Sequence, residues 1–260
     1  MGHSGLAGSC SYSRLRVIGL GRFLEVGIAT TDIRASVEFY ERLGFTQAQT
    51  GDIWPHPYGV LTDGTLCIGL HQTRVDSPAL TFAHPGIAGH LGVLEQMGIE
   101  AVTVNVGDEV FNEIAFRDPA GQPVRLLEAR TYSPPDRSVL EPSRCGPFRG
   151  LSMPAADLES ARSFWEALGF EAGELQSHPY PHLPLSREGL ELALHRPQLC
   201  AEPLLTFRDP AMQQRIADLR ELALCRLETP PRGLDGRSNA LLRAPEGGAL
   251  LLLQDSASSR

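Results

Sequence analysis

The chain carries the same passage twice. Phe23-Leu24-Glu25-Val26-Gly27-Ile28-Ala29 leads into a segment running from Asp32 to Phe45 (DIRASVEFYERLGF), and Phe148-Arg149-Gly150-Leu151-Ser152-Met153 leads into one running from Asp157 to Phe170 (DLESARSFWEALGF). The register is fixed, since 157 − 32 and 169 − 44 both give 125. Repeats of this length are whole folding units rather than solenoid rungs. Two copies of one domain are expected, and function is to be sought where the copies differ.

Each copy divides again. Turn signals at Gly, Pro and Asp bound a strand at 23–29, a helix at 33–43 and strands at 45–53, 58–62 and 65–71. A second unit follows, with a strand at 79–83, a helix at 87–97 and strands at 100–106, 110–117 and 122–128. The second copy repeats both units: 148–153, 158–168, 170–176, 183–186 and 190–195, then 203–207, 210–222, 225–229, 237–243 and 249–254. The chain therefore reads as four β-α-β-β-β units. Asp32 and Asp157 stand where a carboxylate caps free helix N–H groups, and Gly44 and Gly169 where a left-handed residue ends the helix. Val37, Tyr40 and Leu43 recur at helical spacing, as do Ala161, Phe164 or Trp165, and Leu168; these are core positions. The Pro- and Ser-rich stretch from Tyr132 to Pro147 marks a boundary. The expected organisation is a flexible leader at 1–21, an N-terminal domain at 22–131, a linker at 132–146, a C-terminal domain at 147–255 and a tail at 256–260.

With 260 residues, 42% hydrophobic and 21% charged, the chain has material for two medium cores. A formal net charge of −8 and the lack of a basic stripe argue against nucleic acid or an anionic membrane as partner. The longest apolar run, Ala249-Leu250-Leu251-Leu252-Leu253, suits a buried strand and is far too short to span a bilayer. Cys10, Cys67, Cys145, Cys200 and Cys225 are scattered, without metal-type spacing, and read as reduced thiols of a cytoplasmic protein. There is no Gly-x-Ser-x-Gly elbow, no phosphate-binding Gly-rich loop and no Cys-x-x-Cys, so hydride transfer and nucleotide hydrolysis are set aside.

The Asp-capped helices SVEFYERLGF and ARSFWEALGF, the strand ends GTLCIGLHQ and GLELALHRP, and the closing AFRDPAGQPVRLLE together resemble the vicinal oxygen chelate superfamily. It includes glyoxalase I, fosfomycin- and bleomycin-resistance proteins, methylmalonyl-CoA epimerase and extradiol ring-cleaving dioxygenases. The resemblance spans residues 23–254 and implies an α+β fold in which paired βαβββ modules curl into two cup-shaped mixed sheets, each enclosing a small-molecule site. One such fold hosts many functions. Catalytic members hold a divalent metal in the cup by His or Gln on the opening strand, His or Glu on the second unit's opening strand, and Glu on its last strand. The metal stabilises charge on substrate oxygens in the transition state.

Counted from those landmarks, the three positions are Glu25, Ser77 and Arg125 in the first copy and Gly150, Glu202 and Leu251 in the second. Assembly across copies would instead join Glu25, Glu202 and Leu251, or Gly150, Ser77 and Arg125. No combination is a complete chelating set, and both final carboxylates are missing. The Glu25 and Glu202 pair would suit only a solvent-rich Mg or Mn site. Glu191, in GLELALH, stands near a strand position from which glyoxalase I supplies a ligand, so a site using Glu191 and Glu202 stays open.

Arg125 offers a planar charged fork to a carboxylate or phosphate, or pairs with Glu25 in the empty cup. His71 and His195 end equivalent strands and read as hydrogen-bonded structural residues. Trp54, His56, Tyr58 and Tyr180 belong to loops bordering the cup mouths, where aromatic faces would clamp a flat ligand. The preferred reading is a small-molecule binding protein with a degenerate metal site and no cofactor, taking an aromatic or anionic metabolite or drug. The alternative is an enzyme: a glyoxalase-like lyase or isomerase, or an extradiol dioxygenase, with a divalent Mg, Mn, Fe, Ni or Zn, or with Glu25 or Glu191 as a metal-free general base. A monomer and a homodimer both suit an internal duplication.

Overall fold

In the computed structural model of the chain, residues 19–50, 54–129, 143–222 and 226–255 are described. The leader up to residue 18, most of the linker and the tail at 256–260 lie outside them. So do parts of the expected strands at 45–53 and 225–229.

Local sequence signals set the repeated helices. Asp32 Oδ1 accepts from the Ala35 amide, and Asp157 Oδ1 from the Glu159 and Ser160 amides, so α1 (Ile33–Arg42) and α3 (Leu158–Ala167) begin on equivalent caps. Both end before a glycine at positive φ, Gly44 (91°) and Gly169 (88°). A left-handed backbone there costs a side chain roughly 1–2 kcal/mol that glycine does not lose.

The strands of each half form one eight-stranded mixed sheet. The first contains β1 (Arg22–Ala29), β2 (Thr46–Ala48), β3 (Tyr58–Thr62), β4 (Cys67–His71), β5 (Ala79–His84), β6 (Ala101–Asn105), β7 (Glu113–Arg117) and β8 (Pro123–Glu128), ordered β2-β3-β4-β1-β5-β8-β7-β6. The second contains β9 (Phe148–Pro154), β10 (Glu171–Ala172), β11 (His182–Arg187), β12 (Leu190–His195), β13 (Leu204–Asp209), β14 (Arg226–Glu228), β15 (Ala240–Arg243) and β16 (Ala249–Gln254), in the equivalent order β10-β11-β12-β9-β13-β16-β15-β14. The two opening strands of a half, β1 with β5 and β9 with β13, run antiparallel side by side and join the modules. Modules therefore pair within a half, and the cross-copy combinations of site residues are overturned.

The second-module helices are shorter than the sequence pattern suggests. The span 87–97 begins as a 3-10 turn, Ile87–His90, before α2 (Leu91–Gln96), and α4 covers Met212–Glu221. Gly89 and Gly92 lower the helical preference of the first of these.

One apolar core runs through both halves, with Tyr40, Phe45, Phe82, Phe116, Phe164, Trp165 and Phe207 all but inaccessible to solvent. Side chains of this size each contribute about 1.5–3 kcal/mol on burial. Two polar pins tie the halves. Tyr40 on α1 donates its hydroxyl to Glu246 Oε1 at 2.6 Å, with Ser36 Oγ donating to Oε2, and Trp165 on α3 donates Nε1–H to Asp118 Oδ2 at 3.1 Å. In each, the repeated helix of one half grips the turn before the last strand of the other.

Candidate functional site

The register across the central strands locates the key positions directly. Glu25 on β1 pairs with Thr81 on β5, and Thr81 with Arg125 on β8; in the second half the row is Gly150, Thr206 and Leu251. The middle position is thus Thr81 or Thr206, not Ser77 or Glu202. Ser77 lies before β5 and donates no side chain to the row; its Oγ accepts from the Ala29 amide. Glu202 lies before β13 and is held by both Nη atoms of Arg243 at 2.8 Å. Counting back from helices failed because the turn into each helix has its own length, whereas strand register does not.

Glu25 is buried beneath the N-terminal cup. Its carboxylate lies over Gly69, where a Cβ would collide with it. Tyr58 donates its hydroxyl to Glu25 Oε2 at 2.6 Å, and His71 Nε2 stands 3.6 Å from Oε1. Behind Nε2, the other nitrogen of the same ring, Nδ1, is 3.0 Å from His56 Nε2. Trp54 covers this group, stacked on His56 (29° between planes) and edge-on to His71 and Tyr58.

Arg125 does not pair with Glu25. Its Nε approaches Glu113 Oε1 at 2.8 Å, and its guanidinium carbon lies 5.3 Å from the centre of the Trp54 ring. Glu113 lies one strand further out, on β7.

A cavity of about 620 Å³ opens in front of Trp54, His56, Phe111, Glu113 and Arg125. Trp54, His56 and Arg125 line it, whereas Glu25 and Tyr58 do not. Two of its lining residues carry a buried polar atom with no hydrogen-bond partner among the described residues, Trp54 Nε1 and Arg125 Nη1, as do Thr81 on β5 and His71 on β4, at Oγ1 and Nε2. Thr81 Oγ1 and His71 Nε2 stand 3.4 and 3.5 Å from the point a Cβ would occupy on Gly27. Buried donors are nearly always satisfied in folded proteins, so a cluster of open ones marks where a polar partner belongs.

The C-terminal cup is built the other way. Leu251 replaces Arg125, Leu241 replaces Ala115, and with Leu253, Ala249 and Tyr180 they form a second apolar cluster that fills this part of the concave face. Tyr180 is therefore buried and belongs to a different cup from Trp54, His56 and Tyr58, so no single clamp unites the four aromatic candidates. The strand register equates Tyr58 with His182 and His56 with Tyr180, two residues out of step with the recurring His-Pro-Tyr sequence. Polar groups here are satisfied. Ser152 Oγ is 2.7 Å from His195 Nδ1, His195 Nε2 is 3.0 Å from the Cys200 carbonyl, and Thr206 donates to the Gly150 carbonyl at 2.8 Å. A cavity of about 450 Å³ remains, lined by Gly150, Thr206, Glu191, Tyr180, His182 and Arg208 among others. Burial pushes both His182 and His195 below the ordinary imidazole value.

No family model and no curated protein matches the sequence. Solved structures do. A variant of homoprotocatechuate 2,3-dioxygenase from Brevibacterium fuscum superposes with a TM-score of 0.61 at 14% identity, covering 92% of this chain and 72% of that one. The enzyme from Arthrobacter globiformis gives a TM-score of 0.61 at 13% identity, over 92% of this chain and 81% of its own. A further variant from B. fuscum, in complex with HPCA, gives 0.61 at 13% identity over 95% and 76%. The chain has the vicinal oxygen chelate fold. Two eight-stranded cups, each from two βαβββ modules, are what this fold requires.

The metal implied by the vicinal oxygen chelate fold does not fit the residues present. A divalent ion in the N-terminal row would face the Arg125 guanidinium at the third position, a neutral Thr81 hydroxyl at the second, and a Glu25 carboxylate already taken by Tyr58. Gly150, Thr206 and Leu251 offer no anionic donor. Among the described residues no group of three or more His, Cys, Asp or Glu side chains is arranged to hold an ion. Glu191 is exposed on β12, and Glu202 is engaged by Arg243.

Proposed function

We propose that this protein binds a small, flat, anionic molecule in its N-terminal cup, without a metal at the fold's usual position. The observation that carries this reading is a 620 Å³ cavity lined by Arg125 and Trp54, whose buried Nη1 and Nε1 have no hydrogen-bond partner among the described residues. The permanently charged Arg125 and the Trp54 N–H suit the oxygens of a carboxylate, and the Trp54 and Phe111 rings suit a flat apolar body. Cavities of this size hold ligands of metabolite or drug dimensions. The bound HPCA of a structural neighbour shows that this fold accommodates a small ligand. The leucines at the third position and beside it in the C-terminal cup, in place of Arg125 and Ala115, leave that cup without the cation and support use of the N-terminal one. Dioxygenase chemistry draws no support from the donor set. Cys67, Cys145 and Cys200 form no disulfide among the described residues, which favours a reducing, cytoplasmic setting, and no described helix is long and apolar enough to cross a membrane.

Trp54 supplies the test. The chain has two tryptophans, and the other, Trp165, is sealed between the halves. Aromatic monocarboxylates added to chelator-treated protein are expected to change the intrinsic fluorescence saturably, and Trp54→Phe to abolish the change. An unchanged signal across such ligands, or an equal change in Trp54→Phe, would overturn the reading.

A further inference from the structure

The N-terminal cup contains a chain of ionisable groups that ligand binding alone does not use. Glu25 and His71 are sealed from solvent, Glu25 accepts from Tyr58, and His71 turns Nε2 toward Glu25 Oε1 at 3.6 Å, a charge-pair distance rather than a hydrogen bond, and Nδ1 to His56 Nε2 at 3.0 Å. His56 stands at the cavity wall. We infer that Glu25, His71 and His56 form a proton relay that makes His56 a metal-independent general base toward a ligand in this cup; the inference rests on the proposed binding reading and adds a reaction to it.

The chain of contacts fixes the protons. With a carboxylate opposite, His71 places its hydrogen on Nε2, which leaves the Nδ1 lone pair to accept from His56 Nε2–H. His56 Nδ1 is then the free lone pair. Burial, and after it the neighbouring His71 and Arg125, push the His56 imidazole below its ordinary value, so it is neutral and able to accept at pH 7. A proton taken at Nδ1 is relayed when His56 passes its Nε2 hydrogen to His71 Nδ1, and the resulting imidazolium lies against Glu25.

The charged and titratable groups facing the pair are Glu25 and Tyr58 on one side and Arg125, paired with Glu113, on the other. Trp54 lies between and excludes water from His71. This division of charge suits abstraction of a proton from carbon next to a carbonyl. The C–H bond breaks, its electron pair moves into the carbonyl as an enolate, and Arg125 stabilises the new negative oxygen. Return of a proton to carbon completes an isomerisation or exchange with no oxidant, reductant or co-reactant. The second half lacks the device. Its equivalent His195 is closed on both nitrogens by Ser152 and Cys200, and Gly27 stands where Ser152 stands.

Phenylpyruvate is a suitable probe because it combines a flat ring, a carboxylate and a C–H acidified by a neighbouring carbonyl. Its benzylic signal is followed by proton NMR in deuterated buffer with chelator-treated, full-length protein. At pH 7 the wild type is expected to exchange that hydrogen at least tenfold faster than His56→Gln, which keeps a donor toward His71 but takes up no proton, and His56→Ala is expected to match His56→Gln. Glu25→Gln, a positioning change, is expected to lower the rate and move the midpoint of the pH–rate profile to lower pH, because the imidazolium loses its carboxylate. A merely structural role for Glu25 would lower the rate without moving the midpoint. Equal exchange by wild type and His56→Gln overturns the relay. If phenylpyruvate still binds by calorimetry in that case, the binding reading stands alone; if it does not, both fall.

Discussion

The guanidinium of Arg125 lies over Trp54, 5.3 Å from the ring centre, and this contact brings the two ends of the N-terminal cup together. Arg125 is on the last strand of the second module and Trp54 on the loop before β3 of the first. The ring shields the guanidinium from water on one side while leaving Nη1 open. A cation so placed is weakly hydrated and gains more from an anionic ligand than an exposed arginine does.

Arg125 and Glu113 are a half-desolvated pair, so their removal is expected to be non-additive. Arg125→Leu alone leaves the Glu113 carboxylate largely buried without its partner. Breaking such a pair costs on the order of 3–5 kcal/mol when burial is complete and less here. Adding Glu113→Ala should restore much of the loss. Urea unfolding of the two variants checks this, with the double variant expected to be the more stable.

The register row also predicts how a metal site could be restored. Thr81→His combined with Arg125→Glu places imidazole and carboxylate donors beside Glu25, and the melting temperature of this variant should rise with Ni(II) or Mn(II). Ser77→His combined with Arg125→Glu should show no such rise, since Ser77 is off the row. Equal responses would mean the row does not define the cup centre.

Acid is expected to destabilise the fold through its buried imidazoles. His182 and His195 lie below the ordinary imidazole value near 6.5, chiefly through burial. The unfolded chain therefore binds more protons than the folded one. Stability should fall as pH drops from about 6.5 toward the lower folded values, and level off beneath them. Melting curves from pH 8 to pH 5 read this directly, and His195→Asn should flatten the slope.

The pins between the halves make a separate prediction. Glu246→Ala removes the acceptor from both Tyr40 and Ser36, and leaves a fully buried tyrosine hydroxyl unsatisfied. A loss of about 1–3 kcal/mol is expected, measured by denaturant unfolding, with ligand binding in the distant cup unchanged. Tyr40→Phe, which removes donor and orphan together, should cost less.

The architecture was legible because duplication writes it twice. The repeated Asp cap, the terminal glycine and the strand spacing fixed four modules, and the missing third carboxylate at Arg125 and Leu251 was visible as a departure between chain and family. What stayed hidden were distances across strands. Thr81 looks like any strand threonine, and only the pairing Glu25–Thr81–Arg125 gives it a place in the site. Glu113 was missed as the partner of Arg125 because β7 joins the cup through sheet order, not proximity in sequence. Cross-strand register also separates the aromatic candidates: the local sequence match would equate Tyr58 with Tyr180, while β3 and β11 equate it with His182. The apolar cluster of the second cup was encoded in Leu241, Leu251 and Leu253, but strand leucines read equally well as core.

The most direct measurement is a calorimetric titration of chelator-treated, tag-free protein with phenylpyruvate, beside Arg125→Leu in the Glu113→Ala background. One site per chain is expected in the wild type without added metal, and at least a tenfold weaker affinity in the variant. Binding that appears only when a divalent metal is supplied, or that is equal in the two proteins, would contradict this.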